Sequence, residues 1–451
     1  MGIPHFLVIP YPIPGHVNPL MQLSNLLAKN NCKITFLNTE FSHKRTNNIS
    51  KDNLKNDQPT TINFVTLPDG LEPEDNRSDH KKVIFSIKRN MPNLLPKLIE
   101  DVNDLDVENK ISCIVVTFNM GWALEVGFNL GIKGVLLWTA SATSLAYCYS
   151  IPKLIDDGIM DSAGTHFLSK WVLIIHGIQL SSNMPKIDTA NFPWRAHDKI
   201  LFDHIAQEMQ TMKLGQWWLC NTTYNLEHAT FSISPKFLPL GPFIENNSNK
   251  SSFWQEDTTC IDWLDKQAPR SVIYVSFGSL VAMDQNQFNE LALGLDLLNK
   301  PFLWIVRPNN DNKVNYEYPN EFLGTQGKIV GWASQKKILN HYAISCFISH
   351  CGWNSTIEGV YCGVPFLCWP FAGDQFINKS YICDVWKVGL ELVKDENGFI
   401  SKEEIWKKVE QLLGDEDIKE RSLKLKEFTL DNIVDDGHSS KNLLNFINWA
   451  K

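Results

Sequence analysis

The residues best suited to chemistry fall in one stretch, from Trp332 to Gln375. It opens Trp332-Ala333-Ser334-Gln335, just after the apolar pair Ile329 and Val330 and the turn residue Gly331, so a strand end would present the indole as a flat stacking surface for a base. His350, Gly352, Asn354 and Ser355 follow the strand-like run Cys346-Phe347-Ile348 and lead into a helical pattern. A strand, then small polar residues, then a helix start gathers backbone N–H groups and a positive dipole end onto phosphate. Asn354 and Glu358 are four apart and share one helical face, where a carboxylate can bond the two hydroxyls of a ribose. Asp374 and Gln375 come after the apolar run Val364 to Trp369 and pair an acceptor with a donor, as a hydroxyl-covered sugar needs. Base, ribose, phosphate and sugar in that order describe a nucleotide joined to a sugar.

The elements around this strip predict parallel α/β structure. Phe6 to Pro10 reads as a buried strand, Asn18-Pro19 as the start of a helix running to Lys29, and Lys33 to Leu37 as a second strand. Strand, helix and strand at this length make a right-handed βαβ unit. His16 then lies in the loop at the carboxyl end of the first strand, where α/β folds place ligands. Further strands are predicted at Ile62 to Leu67, Ile111 to Val116, Gly134 to Trp138, Trp217 to Asn221, Val272 to Phe277 and Phe302 to Val306. The polar stretch from Phe41 to Asp79 reads as loops near an acceptor mouth, and Ile151 to Met212, with Trp171, Phe192 and Trp194, as an apolar acceptor enclosure. Residues 245–258 are polar linker, dividing a domain 1–244 from a domain 259–436 and a final helical segment 437–451.

The strip resembles the C-terminal signature of the plant family 1 UDP-glycosyltransferases, W-A-x-Q through H-C-G-W-N-S to E-Q or D-Q, with Trp353 as its second tryptophan. In overall character the chain looks closest to the group named glycosyltransferase 83A. Gly15-His16-Val17-Asn18-Pro19 is similar to the family's G-H-x-x-P, whose histidine is the general base for the acceptor hydroxyl. The resemblance implies a GT-B fold: two Rossmann-like β/α/β domains facing across a cleft, with the last helix crossing back onto the first domain. It also implies that Ser279, after Gly278, meets the diphosphate and that the hydroxyl of Thr139 faces the donor sugar. Phe118 is an expected acceptor contact.

One position departs from the family pattern. The strand that usually ends in Asp, four residues before Gly121-Trp122-Ala123, ends here in Thr117, and no carboxylate lies between Ile111 and Met120. Thr117 can bond to an imidazole but cannot offset the charge of an imidazolium. Either His16 works without an ionic partner, on acidic acceptors, or a carboxylate from elsewhere takes that role.

The reaction implied is transfer of a sugar, glucose by the Asp374-Gln375 ending, from its UDP conjugate to an oxygen of a small apolar metabolite such as a flavonoid, other phenolic or terpenoid, with inversion. UDP leaves as a stable anion, so no metal or other cofactor is expected. The alternative is a nucleotide-sugar-binding protein with weak or no catalysis. An NAD-type dehydrogenase is disfavoured, because no G-x-G-x-x-G follows the first strand.

A net charge of −8 without a basic tract gives no electrostatic reason to bind nucleic acid or an anionic membrane. Ten cysteines without a C-x-x-C indicate neither a zinc framework nor a thioredoxin-type motif. Asp104-Leu105-Asp106 has the form of a D-x-D metal site, but no strand precedes it, and it reads as solvated surface. The start of the chain lacks a signal-peptide pattern, and Asn354-Ser355-Thr356 would be a glycosylation sequon inside the phosphate site. A cytoplasmic monomer without membrane insertion is expected.

Overall fold

The computed structural model describes residues 2–44, 62–162, 164, 178–188, 191, 192, 194, 199–243, 256–278, 281, 283–307 and 316–451. Trp171, Ser279 and most of the expected linker lie outside the described residues. The chain divides into two compact units, one formed by residues 1–173, 194–253 and 432–451, the other by 174–193 and 254–431.

The first unit is built on seven strands: β1 (His5–Ile9), β2 (Lys33–Thr39), β3 (Ile62–Leu67), β4 (Cys113–Thr117), β5 (Lys133–Trp138), β6 (Trp217–Cys220) and β7 (Phe237–Pro239). They pair in parallel in the order β3-β2-β1-β4-β5-β6-β7. Every residue of β1 and β4 is buried, as expected for central parallel strands covered on both faces. The order reverses between β1 and β4, and their carboxyl ends therefore flank a topological switch point.

The helix after β1 begins a turn earlier than the sequence predicts. It spans Pro14–Lys29, with Pro14 supplying the fixed φ of the first helical turn and Pro19 inside it. His16 therefore sits in the first helical turn rather than in a loop. The region before β4, which the sequence reading leaves unassigned up to Asn103, is one long helix, His80–Leu105. Its buried stripe is Val83, Ile87, Met91, Leu95, Ile99 and Val102, and Asp79 caps it by accepting from Lys82 N. Asp106, just past its end, is committed to Lys33 at 2.8 Å. The final helix, His438–Ala450, packs Leu443, Phe446, Ile447 and Ala450 into the core that holds Phe6, Val8 and Val115. Lys133 Nζ donates to Trp449 O at 2.6 Å and Ser439 Oγ to Gly241 O at 2.7 Å, fixing the helix at both ends.

The second unit carries β8 (Val272–Ser276), β9 (Phe302–Ile305), β10 (Gly327–Val330), β11 (Ile344–Ser349), β12 (Phe366–Cys368) and β13 (Gly389–Glu391). These pair in parallel in the order β10-β9-β8-β11-β12-β13, so the same reversal recurs between β8 and β11. Its core gathers Ile273, Val275, Phe288, Leu291, Trp304 and Ile348, covered by the helices Gln285–Leu297 and Lys402–Gly414. Each unit is thus an open parallel sheet of doubly wound type.

Candidate donor and base sites

In the second unit the predicted strip assembles at the carboxyl edge around the β8/β11 switch. The helix Trp353–Cys362 starts there on Gly352 without a side-chain cap, and its N-terminus aims the positive end of the helix dipole at the switch. A Cβ on Gly278, at the end of β8, or on Gly352 would collide with Nε2 of His350, so the two glycines are what let backbone close around that ring. Gly278 also needs the left-handed backbone, at φ +67°. Burial, followed by the nearby Arg307 charge, holds the His350 imidazole down at about 4, so it is neutral at physiological pH. Its Nδ1 is buried without a hydrogen-bond partner.

Beside it, Gln335 Nε2 donates to Ser355 Oγ at 2.9 Å and to Glu358 Oε2 at 2.7 Å, tying the two ends of the strip together. Burial raises the Glu358 carboxyl, with the Gln335 bond opposing. Trp332 is half-buried, Ala333 is buried, and Asp257 N donates to Trp332 O at 2.9 Å. The Trp353 side chain is buried near Trp386, at 6.5 Å between ring centroids, and can offer a ligand only its backbone. Gln375 Oε1 accepts from Phe371 N at 2.8 Å and from Ala372 N at 3.2 Å, which leaves its amide end to donate outward. Asp374, half-buried, has its carboxyl pushed up to about 6 by burial, with a bond from Asn378 working against that rise.

In the first unit His16 and Thr117 flank the β1/β4 switch but are not bonded to each other. Thr117 Oγ1 accepts from Tyr11 N at 2.8 Å, while His16 Nδ1 is buried with no partner. The His16 ring is half-buried and meets Tyr11 edge-on, at 5.5 Å between centroids. Burial, followed by repulsion from His80, holds its imidazole down at about 3. His80 Nδ1 stands 3.3 Å from the Tyr11 hydroxyl. Phe118 is half-buried with its edge against Trp138 and His204, and Asn119 Oδ1 lies 2.8 Å from His204 Nε2. Thr139 follows β5 and is half-buried. The next helix, Ala142–Tyr149, is fixed by Glu227, whose carboxylate accepts from Ala142 N and Thr143 N. Trp194 is fully buried against Phe202.

Residues 193–436 match the family described as UDP-glucoronosyl and UDP-glucosyl transferase. Along its whole length the chain is 41% identical to UDP-glycosyltransferase 83A1 of Arabidopsis thaliana, covering 97% of that protein. The chain belongs to the plant family 1 UDP-glycosyltransferases. A second family member, 7-deoxyloganetin glucosyltransferase of Catharanthus roseus, is 32% identical over 99% of this chain and 96% of its own. A solved UDP-glycosyltransferase structure, Phytolacca americana UGT2 complexed with UDP-2fluoro-glucose and pterostilbene, has the same fold. It superimposes with a TM-score of 0.81 at 22% identity, covering 100% of this chain and 99% of that one. The protein is therefore a UDP-glycosyltransferase with two Rossmann-like domains of GT-B type. Neither named relative favours a binding protein without catalysis.

Among the residues of this glycosyltransferase that sequence reasoning passed over, Asn378 is the most consequential. Fully buried, it donates through Nδ2 to Cys351 O at 2.9 Å and to Asp374 Oδ2 at 2.9 Å, joining the loop that carries His350 to the loop that carries Asp374. The signal available was its position, four after Asp374 on a helical face. Arg307, two residues past β9, was also missed; it is half-buried and its charge is felt by both His350 and Tyr274. Among the described residues no helix is long and apolar enough to cross a membrane.

Proposed function

We propose that this glycosyltransferase transfers glucose from UDP-glucose to a hydroxyl or carboxyl oxygen of a small apolar plant metabolite, inverting the anomeric configuration, with His16 as general base. The observation that carries the reading is the uncapped start of the helix Trp353–Cys362 at the β8/β11 switch, beside a neutral His350 and the Gln335–Ser355–Glu358 network. In this reading Trp332 stacks on the base and Glu358 holds the ribose. The helix N-terminus, with Asn354 and Ser355, takes the growing charge of the diphosphate as the anomeric carbon–oxygen bond breaks. No metal is given a role. Asp374 and Gln375 hold the sugar hydroxyls, and the glucosyltransferase name of one relative and the fluoro-glucose donor in the solved neighbour support glucose.

His16 supplies a neutral imidazole that removes the acceptor proton as the oxygen attacks, a contribution of about 10²–10⁴ in rate. The relatives act on 7-deoxyloganetin and make linamarin, and the neighbour holds pterostilbene, which supports a small apolar acceptor class. Thr117, spent on Tyr11 N, gives His16 no ionic help. Acidic phenols and carboxylic acids are therefore the favoured acceptors. The test is product formation by mass spectrometry with UDP-glucose and phenols of graded acidity. His16→Ala at full turnover would refute the base assignment, and absence of any glucoside across the panel would refute the acceptor class.

A further inference from the structure

Three thiols meet beneath the donor strip of the second unit. Cys368 ends β12, and Cys383 lies in the short π-helical turn Tyr381–Val385, with their sulfurs 3.8 Å apart. Cys351, between His350 and Gly352, donates its S–H to Ser349 O at 3.5 Å and lies close enough to the Cys368 thiol to raise it. All three are free; Cys351 and Cys368 are buried, whereas Cys383 is half-exposed. Each stands at the root of a different part of the strip. Cys351 belongs to the His350 loop and receives Asn378 Nδ2 on its carbonyl. Cys368 precedes the loop to Asp374, and Cys383 follows the helix Gln375–Ser380. Asp374, Gln375 and Asn378 therefore all fall inside the segment that a Cys368–Cys383 bond would enclose. A disulfide is about 2.05 Å long, so closing it draws the two sulfurs well inside their present contact and shifts the ends of that segment.

We propose that Cys368 and Cys383 are an oxidation site for hydrogen peroxide, and that their disulfide weakens donor binding reversibly. The half-exposed Cys383 sulfur attacks the peroxide, the O–O bond breaks, and Cys383 becomes a sulfenic acid with release of one water. Cys368 Sγ then attacks that sulfur. The S–S bond forms as hydroxide leaves and takes the Cys368 proton, giving a second water. Two thiols are oxidised and one peroxide is reduced. Cys368 is buried and Cys383 half-exposed, so Cys383 meets the oxidant first and Cys368, in contact with it, resolves the sulfenic acid. Enclosure of Asp374 and Gln375 makes the sugar end of the donor the part most affected. This consequence rests on the donor reading given above, whereas the disulfide itself does not.

The full-length protein is treated with hydrogen peroxide, then followed by intact mass, non-reducing peptide mapping and calorimetric titration with UDP-glucose and with UDP. The expected result is loss of two hydrogens, a Cys368–Cys383 peptide, and UDP-glucose affinity lower by about tenfold, roughly one good hydrogen bond to a charged group. UDP affinity falls less, and dithiothreitol restores both. C383S keeps its mass and its UDP-glucose affinity under the same treatment. A map without that peptide, a disulfide with unchanged UDP-glucose affinity, or equal loss of affinity in C383S overturns the proposal. Reduced protein that binds no UDP overturns the donor reading and the coupling with it, while the mass still decides the disulfide.

Discussion

Asn378→Leu removes an amide while keeping a side chain of similar size, and its effect on Asp374 can be worked through. The Asp374 carboxyl stands at about 6 in the folded protein against an ordinary value of 3.8, raised by burial and held back by the Asn378 bond. A hydrogen bond to a charged group contributes about 1.5–3 kcal/mol. At about 1.4 kcal/mol per pH unit, its loss moves the titration up by roughly one to two pH units. At pH 7 the carboxylate is about nine-tenths formed in the wild type and falls to between roughly a half and a tenth in the variant.

The ionised form is the one that accepts a sugar hydroxyl without needing a proton. KM for UDP-glucose therefore rises in the wild type as pH falls through about 6. In Asn378→Leu it is about two- to tenfold higher at pH 7 and converges on the wild type near pH 9. The sign for stability is opposite. A carboxyl whose folded value lies above its free value favours the folded state when protonated, and that contribution is lost as pH rises from about 4 to 6. Initial rates against donor concentration between pH 5.5 and 9 decide the matter. A variant-to-wild-type KM ratio that stays constant with pH would show that Asn378 acts only by holding Cys351 O, and would refute the titration argument.

Three other outcomes follow from particular contacts. Gly278→Ala places a side chain on a left-handed backbone and against the His350 ring, so UDP affinity measured by calorimetry falls at least about fivefold, from about 1–2 kcal/mol of backbone cost alone; unchanged affinity would mean that the β8 turn does not approach the diphosphate. Phe446→Ala empties a fully packed position between the last helix and Phe6, and costs about 3–5 kcal/mol in urea unfolding of the first unit; a loss below about 1 kcal/mol would show that this helix is not part of that core. Thr117→Asp offers a charge near His16 and extends activity toward weakly acidic alcohols, read as a flatter dependence of rate on acceptor acidity; an unchanged slope refutes the link between the missing carboxylate and acceptor choice.

The sheets were legible because buried parallel strands are continuous apolar runs, and most predicted strands fall within two residues of those observed. The helix His80–Leu105 was hidden by its own prolines. Pro92 and Pro96 break the expected helical alphabet, although Val83, Ile87, Met91, Leu95 and Ile99 recur every four residues beneath them. The start of the first helix was misplaced for a related reason, since Asn18-Pro19 has the form of a cap but Pro14 supplies the real one. The candidate strip stood out in the sequence as residues but not as a network. Nothing in one dimension says that Gln335 reaches Glu358, that Asn378 turns inward to both Cys351 and Asp374, or that Trp353 faces the core.

The position of Thr117 explains how the chain keeps its first sheet intact without the acidic residue of the family pattern. The segment just past β1 leaves the Tyr11 N–H pointing into buried space, where an unpaired donor is costly. Thr117 Oγ1 satisfies it, so the side chain at this position does the structural half of what a carboxylate would do. The electrostatic half is left undone, because a hydroxyl carries no charge to stabilise an imidazolium on His16. Tyr11 packs edge-on beside that ring without supplying one, and repulsion between His80 and a protonated His16 works against the imidazolium. In the base role proposed for it, an imidazole held neutral down to about pH 3 is available at physiological pH but weak. With His16 as the base, as proposed, the driving force for proton removal comes from the acceptor itself, and the choice of substrate is then tied to the residue at the end of β4.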